Sequence, residues 1–158
     1  MKTKALWFAC WALCSGAACA ETPRMHLWIT QPIAAVSDVS VCRLPTADAS
    51  KPPNISLMLT EQDVAAWNDK TGVWRLDEHR FPNQAAGWQL ADHCFVLAID
   101  GKQVSSGVVL WKHSARLTKI PTLLVSTRHH ALVLQLASGS KRPIELIHQS
   151  ELAAILQK

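Results

Sequence analysis

Cysteine carries the sharpest chemical signal in the sequence. Of five cysteines, Cys10, Cys14 and Cys19 fall within the first twenty residues, leaving only Cys42 and Cys94 beyond them. An isolated pair in an exported chain most simply forms a disulfide. Closing so long a loop would stabilise the fold by roughly 4 kcal/mol in the chain-entropy account. It would also remove both sulfurs as nucleophiles, which argues against a cysteine enzyme. Seven histidines (His26, His79, His93, His113, His129, His130 and His148) supply metal-ligand chemistry without metal-ligand spacing. H-E-x-x-H and C-x-x-C are absent. His129 and His130 are adjacent, so on a strand they would face opposite ways and could share an ion only from a loop. No metal site is expected. Hydrolase chemistry needs a serine, a base and an orienting acid. His113-Ser114 offers the residue types, but no G-x-S-x-G elbow or S-x-x-K context accompanies them. The glycines form no phosphate-cradling run, so no nucleotide cofactor is expected.

Charge is the strongest anomaly. Lys102, Lys112, Arg116, Lys119, Arg128, Lys141 and Arg142 all lie between residues 101 and 142, with no acid among them. Between residues 21 and 100, six basic residues stand against ten acidic ones. Such segregation either folds against itself or leaves a basic face that attracts an anionic partner. Trp111, Lys112, His113, Arg116 and Lys119 crowd into the run WKHSARLTKIP, and Arg128 follows. Cations grouped around an aromatic side chain suit an acidic protein surface. They also suit an anionic envelope component such as lipid headgroups or lipopolysaccharide phosphates. These six residues are the expected binding positions. Beyond residue 20 the tryptophans are Trp28, Trp67, Trp74, Trp88 and Trp111. Their expected role is packing, with Trp88 and Trp111 closest to loops.

The elements that must hold these residues read mostly as strands. Residues 24–30 and 36–44 form two, separated by Pro32. In the second, Val39 and Val41 share one face and Asp38 and Ser40 the other. Residues 45–54 are a proline-rich loop, and residues 55–59 a short strand. Thr60 to Asp63 resembles a capping box, which is expected to make one short turn ahead of a hairpin. The Asp69-Lys70-Thr71-Gly72 turn places Asn68 opposite Val73 and Trp67 opposite Trp74. Asp100-Gly101 between FVLAI and QVSSGVVL is type I′ hairpin chemistry. Residues 95–99 are apolar on both faces, as in a central strand, and Gly107 suggests a bulge. Residues 123–126 and 131–136 are further strands, with a turn at Ser138-Gly139-Ser140. Leu152, Ile155 and Leu156 take helical spacing near the C-terminus. Many strands without intervening helices argue for a mainly β fold. We expect a disulfide-stapled antiparallel sandwich or partly open barrel with a short C-terminal helix.

The first twenty residues read as an export signal. Lys2 and Lys4 precede the apolar run ALWFACWAL, and Ala18-Cys19-Ala20 is an A-x-A cleavage site before Glu21. The run is too short for a membrane anchor. A lipoprotein signal would place a leucine-small-small triplet before the cysteine, whereas Gly16-Ala17-Ala18 precedes Cys19. Cleavage leaves residues 21–158 as a single β-rich domain with no transmembrane span, bound for the periplasm or the exterior. With 158 residues, 49% hydrophobic and 18% charged, the chain can build a core. In that compartment no nucleic-acid partner is expected.

Leu59-Thr60-x-x-Asp63-Val64 followed by Phe95-Val96-x-x-Ile99-Asp100-Gly101-Lys102 resembles a pattern in small uncharacterised bacterial exported proteins. The resemblance covers about a third of the chain. It implies a bacterial exported β-rich domain and carries over no site residue. The expected function is therefore a non-catalytic periplasmic binding protein that engages another protein through its basic loop region. Two alternatives stand beside it: an inhibitor or immunity protein of a periplasmic hydrolase, and a small periplasmic hydrolase. The hydrolase needs a serine, a histidine and a carboxylate converging in a pocket. A binding protein needs cations and apolar side chains on a convex loop.

Overall fold

The computed structural model describes residues 22–33, 39–42, 54–81, 89–128, 131–138, 142–143 and 146–157. The proposed signal segment, Trp88, His129, His130 and the Ser138-Gly139-Ser140 turn beyond Ser138 lie outside them.

Among the described residues, mostly apolar, β-branched and alternating runs give nine strands. They are β1 (Met25–Pro32), β2 (Ile55–Thr60), β3 (Val64–Asn68), β4 (Val73–Leu76), β5 (His93–Ile99), β6 (Lys102–Trp111), β7 (Thr122–Arg128), β8 (Ala131–Ser138) and β9 (Arg142–Pro143). The helix α1 (Leu146–Leu156) follows. The strands make a single sheet in the order β2-β1-β5-β6-β7-β8-β4-β3, with β9 paired to β8. Its two edge strands, β2 and β3, are consecutive in the chain and joined only through Glu61–Asp63. Three residues span ~10–14 Å at most, so the sheet must curl until its edges approach. No ladder joins those edges. The mainly β fold is thus an open, barrel-like sheet rather than a two-sheet sandwich.

The curl encloses one interior. Met25, Leu27 and Ile29 of β1 meet Trp74 and Leu76 of β4, Phe95, Leu97 and Ile99 of β5, and Leu132, Leu134 and Leu136 of β8. Leu152, Ile155 and Leu156 of α1 join the same cluster, as their spacing implied. The opposite face of β5 and β6 is apolar too. There Val108, Leu110, Leu124 and Ala137 form a second cluster with Cys42 and Ile120. Strand β5, between β1 and β6, is the doubly covered central strand its composition suggested.

Both hairpins form in the expected register. Trp67 pairs with Trp74 and Asn68 with Val73, and the two indoles pack edge to face with centroids 5.9 Å apart. The Gly72 amide donates to Asn68 O at 2.9 Å, and Gly72 takes a left-handed φ of 63°. Asp100 and Gly101 have φ of 48° and 75°, the two positive angles a type I′ turn requires. At the seam, the Thr60 amide and hydroxyl both donate to Asp63 Oδ2, at 2.7 and 3.1 Å. The capping-box residues therefore close a single 3-10 turn, and β3 begins at Val64.

Three sequence expectations need correction. Val39–Cys42 is a 3-10 turn, and residues 36–38 and 43–44 lie outside the described residues. Cys42 is fully buried in the second cluster, over the flat of the sheet, where there is no strand edge to pair with. A turn that satisfies its own backbone is what such a position permits. The sheet is also not wholly antiparallel, because β6 and β7 run parallel, with Val108 opposite Thr122 and Trp111 opposite Val125. Finally, Gly107 makes no bulge. The register slips at Leu97/Ala98, skipping Val104, while Phe95 faces Gly107 in regular pairing. Gly107 instead admits another stretch of backbone: a Cβ there would stand 1.8 Å from the Pro121 carbonyl oxygen.

Candidate functional site

The cationic run occupies the connection between β6 and β7. Parallel neighbours need a crossover, because the chain must return to the end of the sheet where it started. Residues 112–121 make this return without a helix. They carry the chain back only from the level of Trp111 to that of Val108, a distance of ~10 Å. The surplus length bows out over the outer face.

Both ends of the loop are fixed. At its start, the Lys112 amide donates to Val125 O at 2.8 Å, and the Ser114 amide to Trp111 O at 2.8 Å. At its end, the Val108 amide donates to Pro121 O at 3.1 Å, through the gap that Gly107 leaves. Ile120 is buried in the second cluster. Thr118 is buried beside it, its hydroxyl 2.8 Å from that of Thr122 and donating to Ile120 O at 3.1 Å. The middle is tied sideways. The Arg116 amide donates to Ser114 Oγ at 3.3 Å, and the Arg116 guanidinium forms an ion pair with Asp92.

Between these ties the side chains face solvent. Lys112, His113, Ala115, Arg116 and Lys119 are exposed. Leu117 is 80% exposed, more than any other large apolar side chain among the described residues. Leucine is a weak sequence signal inside a basic run, and nothing in its spacing marked it. Trp111 is placed differently from its neighbours. It is half-buried against the main interior cluster, so it roots the loop from inside. Arg128 is exposed at the end of β7, which is also the end where β6 stops and Lys112 begins. The structure thus brings Lys112, His113, Arg116 and Lys119 onto one exposed loop, puts Arg128 at its near end, and turns Trp111 inward.

The disulfide forms as expected, with Cys42 Sγ and Cys94 Sγ 2.00 Å apart. It holds the Val39–Cys42 turn against the same second cluster that receives Ile120. Val41 on that turn is 55% exposed. Val41 and Leu117 are thus exposed on two segments that each bury a residue, Cys42 and Ile120, in the second cluster.

Charge segregation is only partly cancelled within the fold. Arg24 pairs with Asp100 and Arg80 with Asp63, both within the acidic half. Arg116–Asp92 joins the halves. Lys112 and Lys119 have no acidic partner among the described residues. The other described tryptophans, Trp28, Trp67 and Trp74, act in packing: Trp28 stacks on His26 with centroids 5.4 Å apart and covers Val96 and Ala98.

Two grooves lie at the far end of the sheet, on either side of the Arg24–Asp100 pair. One, of about 470 Å³, is lined by Lys102, Gln103, Val104, Glu151 and Ala154 among others. The second, of about 490 Å³, includes Thr22, Pro23, His26 and Trp28. Among the described residues neither is lined by a serine. Among the described residues no three histidine, cysteine or acidic side chains gather at metal-binding distance.

No family model, curated protein or solved structure matches the chain. The functional reading rests on the residues themselves.

Proposed function

We propose that this is an exported, non-catalytic binding protein that engages another protein through the loop of residues 112–121. One observation carries the reading. An exposed loop, fastened at both ends and in the middle, presents a solvent-exposed leucine together with Lys112 and Lys119, which have no acidic partner among the described residues. Loops held in this way lose little conformational entropy on binding, so contact energy is not spent on ordering them. The Cys42–Cys94 disulfide is compatible with an oxidising compartment such as the periplasm. An inhibitor or immunity protein that occupies a hydrolase cleft is one form the function could take, since an exposed loop complements a concave site.

The test compares proteins retained from the cell envelope by the mature wild-type chain and by the Lys112→Glu/Lys119→Glu variant, read by mass spectrometry. A partner held by the first and lost by the second is the expected result. Identical retention by both chains, with circular dichroism unchanged, would end the proposal.

A further inference from the structure

The exposed leucine and the cations beside it define what kind of surface would receive them. We propose that Leu117 is the anchor of the interface, inserting into an apolar pocket on the partner protein whose rim carries carboxylates that meet Lys112 and Lys119. Val41 on the disulfide-held turn extends the apolar contact. This inference rests on the binding role of the loop and adds its anchor and the chemistry of its partner.

Exposure and fixation together point to Leu117. At 80% exposed it contributes almost nothing to the fold. Its neighbours on both sides are tied down, Arg116 by Asp92 and Thr118 by Ile120 and Thr122. A side chain presented in this way enters a pocket without ordering the chain beneath it, as interface anchors do. Charge complementarity gives the rim. Lys112 and Lys119 stand near the two ends of the loop, without acidic partners among the described residues. Arg116 is already committed to Asp92, so it is a positioning residue rather than a third free cation.

Magnitudes separate a protein pocket from an anionic bilayer. Each lysine near an anionic bilayer strengthens binding about fivefold, and burying one leucine adds a few tens-fold. Together these give about a thousandfold, which is only a millimolar association. A closed pocket adds shape complementarity and a second apolar contact at Val41, and can hold the same loop far more tightly.

The experiment places a photoreactive residue in the full chain as Leu117→benzoylphenylalanine, with Met58→benzoylphenylalanine as control. Met58 is half-exposed on β2, away from the loop. Irradiation in the producing cells should give a protein adduct from position 117 and none from position 58. The captured protein, purified, then serves as the probe in surface plasmon resonance. Leu117→Ala should weaken its affinity about tenfold or more, through faster dissociation. Lys112→Glu/Lys119→Glu should slow association, with the effect fading at high salt. Val41→Ser should weaken binding by a smaller factor. If the charge reversals weaken binding but Leu117→Ala stays within about twofold, the loop binds and the anchor is wrong. If position 117 gives no adduct, or if the captured protein binds every variant as it binds the wild type, the binding role of the loop falls as well. A phospholipid adduct at position 117, with micromolar binding to phosphatidylethanolamine–phosphatidylglycerol vesicles, would overturn the protein pocket in favour of a membrane.

Discussion

Strand β6 is reached through a two-residue turn, Asp100-Gly101, and left through the long loop of residues 112–121. Each connection is fastened by an arginine–aspartate pair, Arg24–Asp100 before the strand and Arg116–Asp92 after it. Each aspartate sits at a left-handed φ, 48° and 63°, immediately beyond one end of β5. The chemistry is the same and the work is different. At the turn, hydrogen-bonded pairing on both flanks already dictates the backbone path, so the ion pair adds a fastening to a rigid corner. At the loop, neighbouring strands dictate only the two ends. The ion pair, the buried Thr118 and Ile120, and the gap at Gly107 must do the rest. What separates the proposed binding loop from the structural turn here is therefore not the kind of contact but how much of the backbone depends on it.

The comparison predicts that perturbations around the loop outweigh those at the turn. The largest effect is expected from the paired change Cys42→Ala/Cys94→Ala, at about 2–4 kcal/mol by urea denaturation. It should also expose the second cluster, seen as increased dye binding. Next comes Gly107→Ala. A Cβ 1.8 Å from Pro121 O must displace the loop's far anchor, at a penalty of about 2–3 kcal/mol. Gly101→Ala, at φ +75° with open space around it, should lose only about 1 kcal/mol of stability. If Gly101→Ala proved more damaging than Gly107→Ala, the contrast between turn and loop would be wrong. Smaller still is Asp92→Asn. The Arg116–Asp92 pair is substantially solvent-exposed, and such pairs contribute at most about 1 kcal/mol. Its signature should be faster amide exchange at residues 114–118, with global stability barely altered.

Acid offers a last way to sharpen the contrast at the turn and the seam. For Glu61, burial alone pushes the carboxyl up, but amides of Arg24, Glu61 and Met25, with the charge of His26, more than offset it and hold it below its ordinary value. The Arg24 amide reaches Glu61 Oε1 at 2.8 Å and the Met25 amide reaches Oε2 at 3.1 Å. For Asp100, the hydrogen bond from the Arg24 side chain is the main cause of a similar lowering. Carboxyls held low in the folded state bind protons more tightly when the chain unfolds. Their contribution is complete above the ordinary carboxylate value and is lost as the pH falls through the lower folded one. Stability should therefore decline below about pH 4.5, the ordinary value for Glu61. Glu61→Gln should flatten that decline when unfolding midpoints are measured across the acid range.

Local rules made much of this architecture legible. Asp100-Gly101 and Asp69 to Gly72 fixed two hairpins because turn chemistry constrains only its own residues and their neighbours. The apolar run of β5 announced its two covered faces, and a lone pair of cysteines announced its bond. What escaped depended on distant partners. Val39–Cys42 alternates like a strand, yet the Cys94 bond holds it over the flat of the sheet, where no edge is available. Gly107 read as a bulge because Pro121 is invisible from its local sequence. The cationic loop was found from its charges. Its apolar tip was not, because exposure of Leu117 follows from slack in the crossover, and that slack exists only once β6 and β7 are known to run parallel.

The first strand of this sheet is not at its edge. β1 is flanked by β2 and by β5, with Met25 opposite Ile99 and the Arg24–Asp100 pair linking residues 76 apart in sequence. Closing so long a segment carries an entropic penalty before any contact rewards it, so folding governed by such pairings is slow. During synthesis the earliest strand can be satisfied on one side by β2, but its other side waits until β5 has been made. For most of its synthesis the chain therefore lacks the strand that completes the pairing of β1.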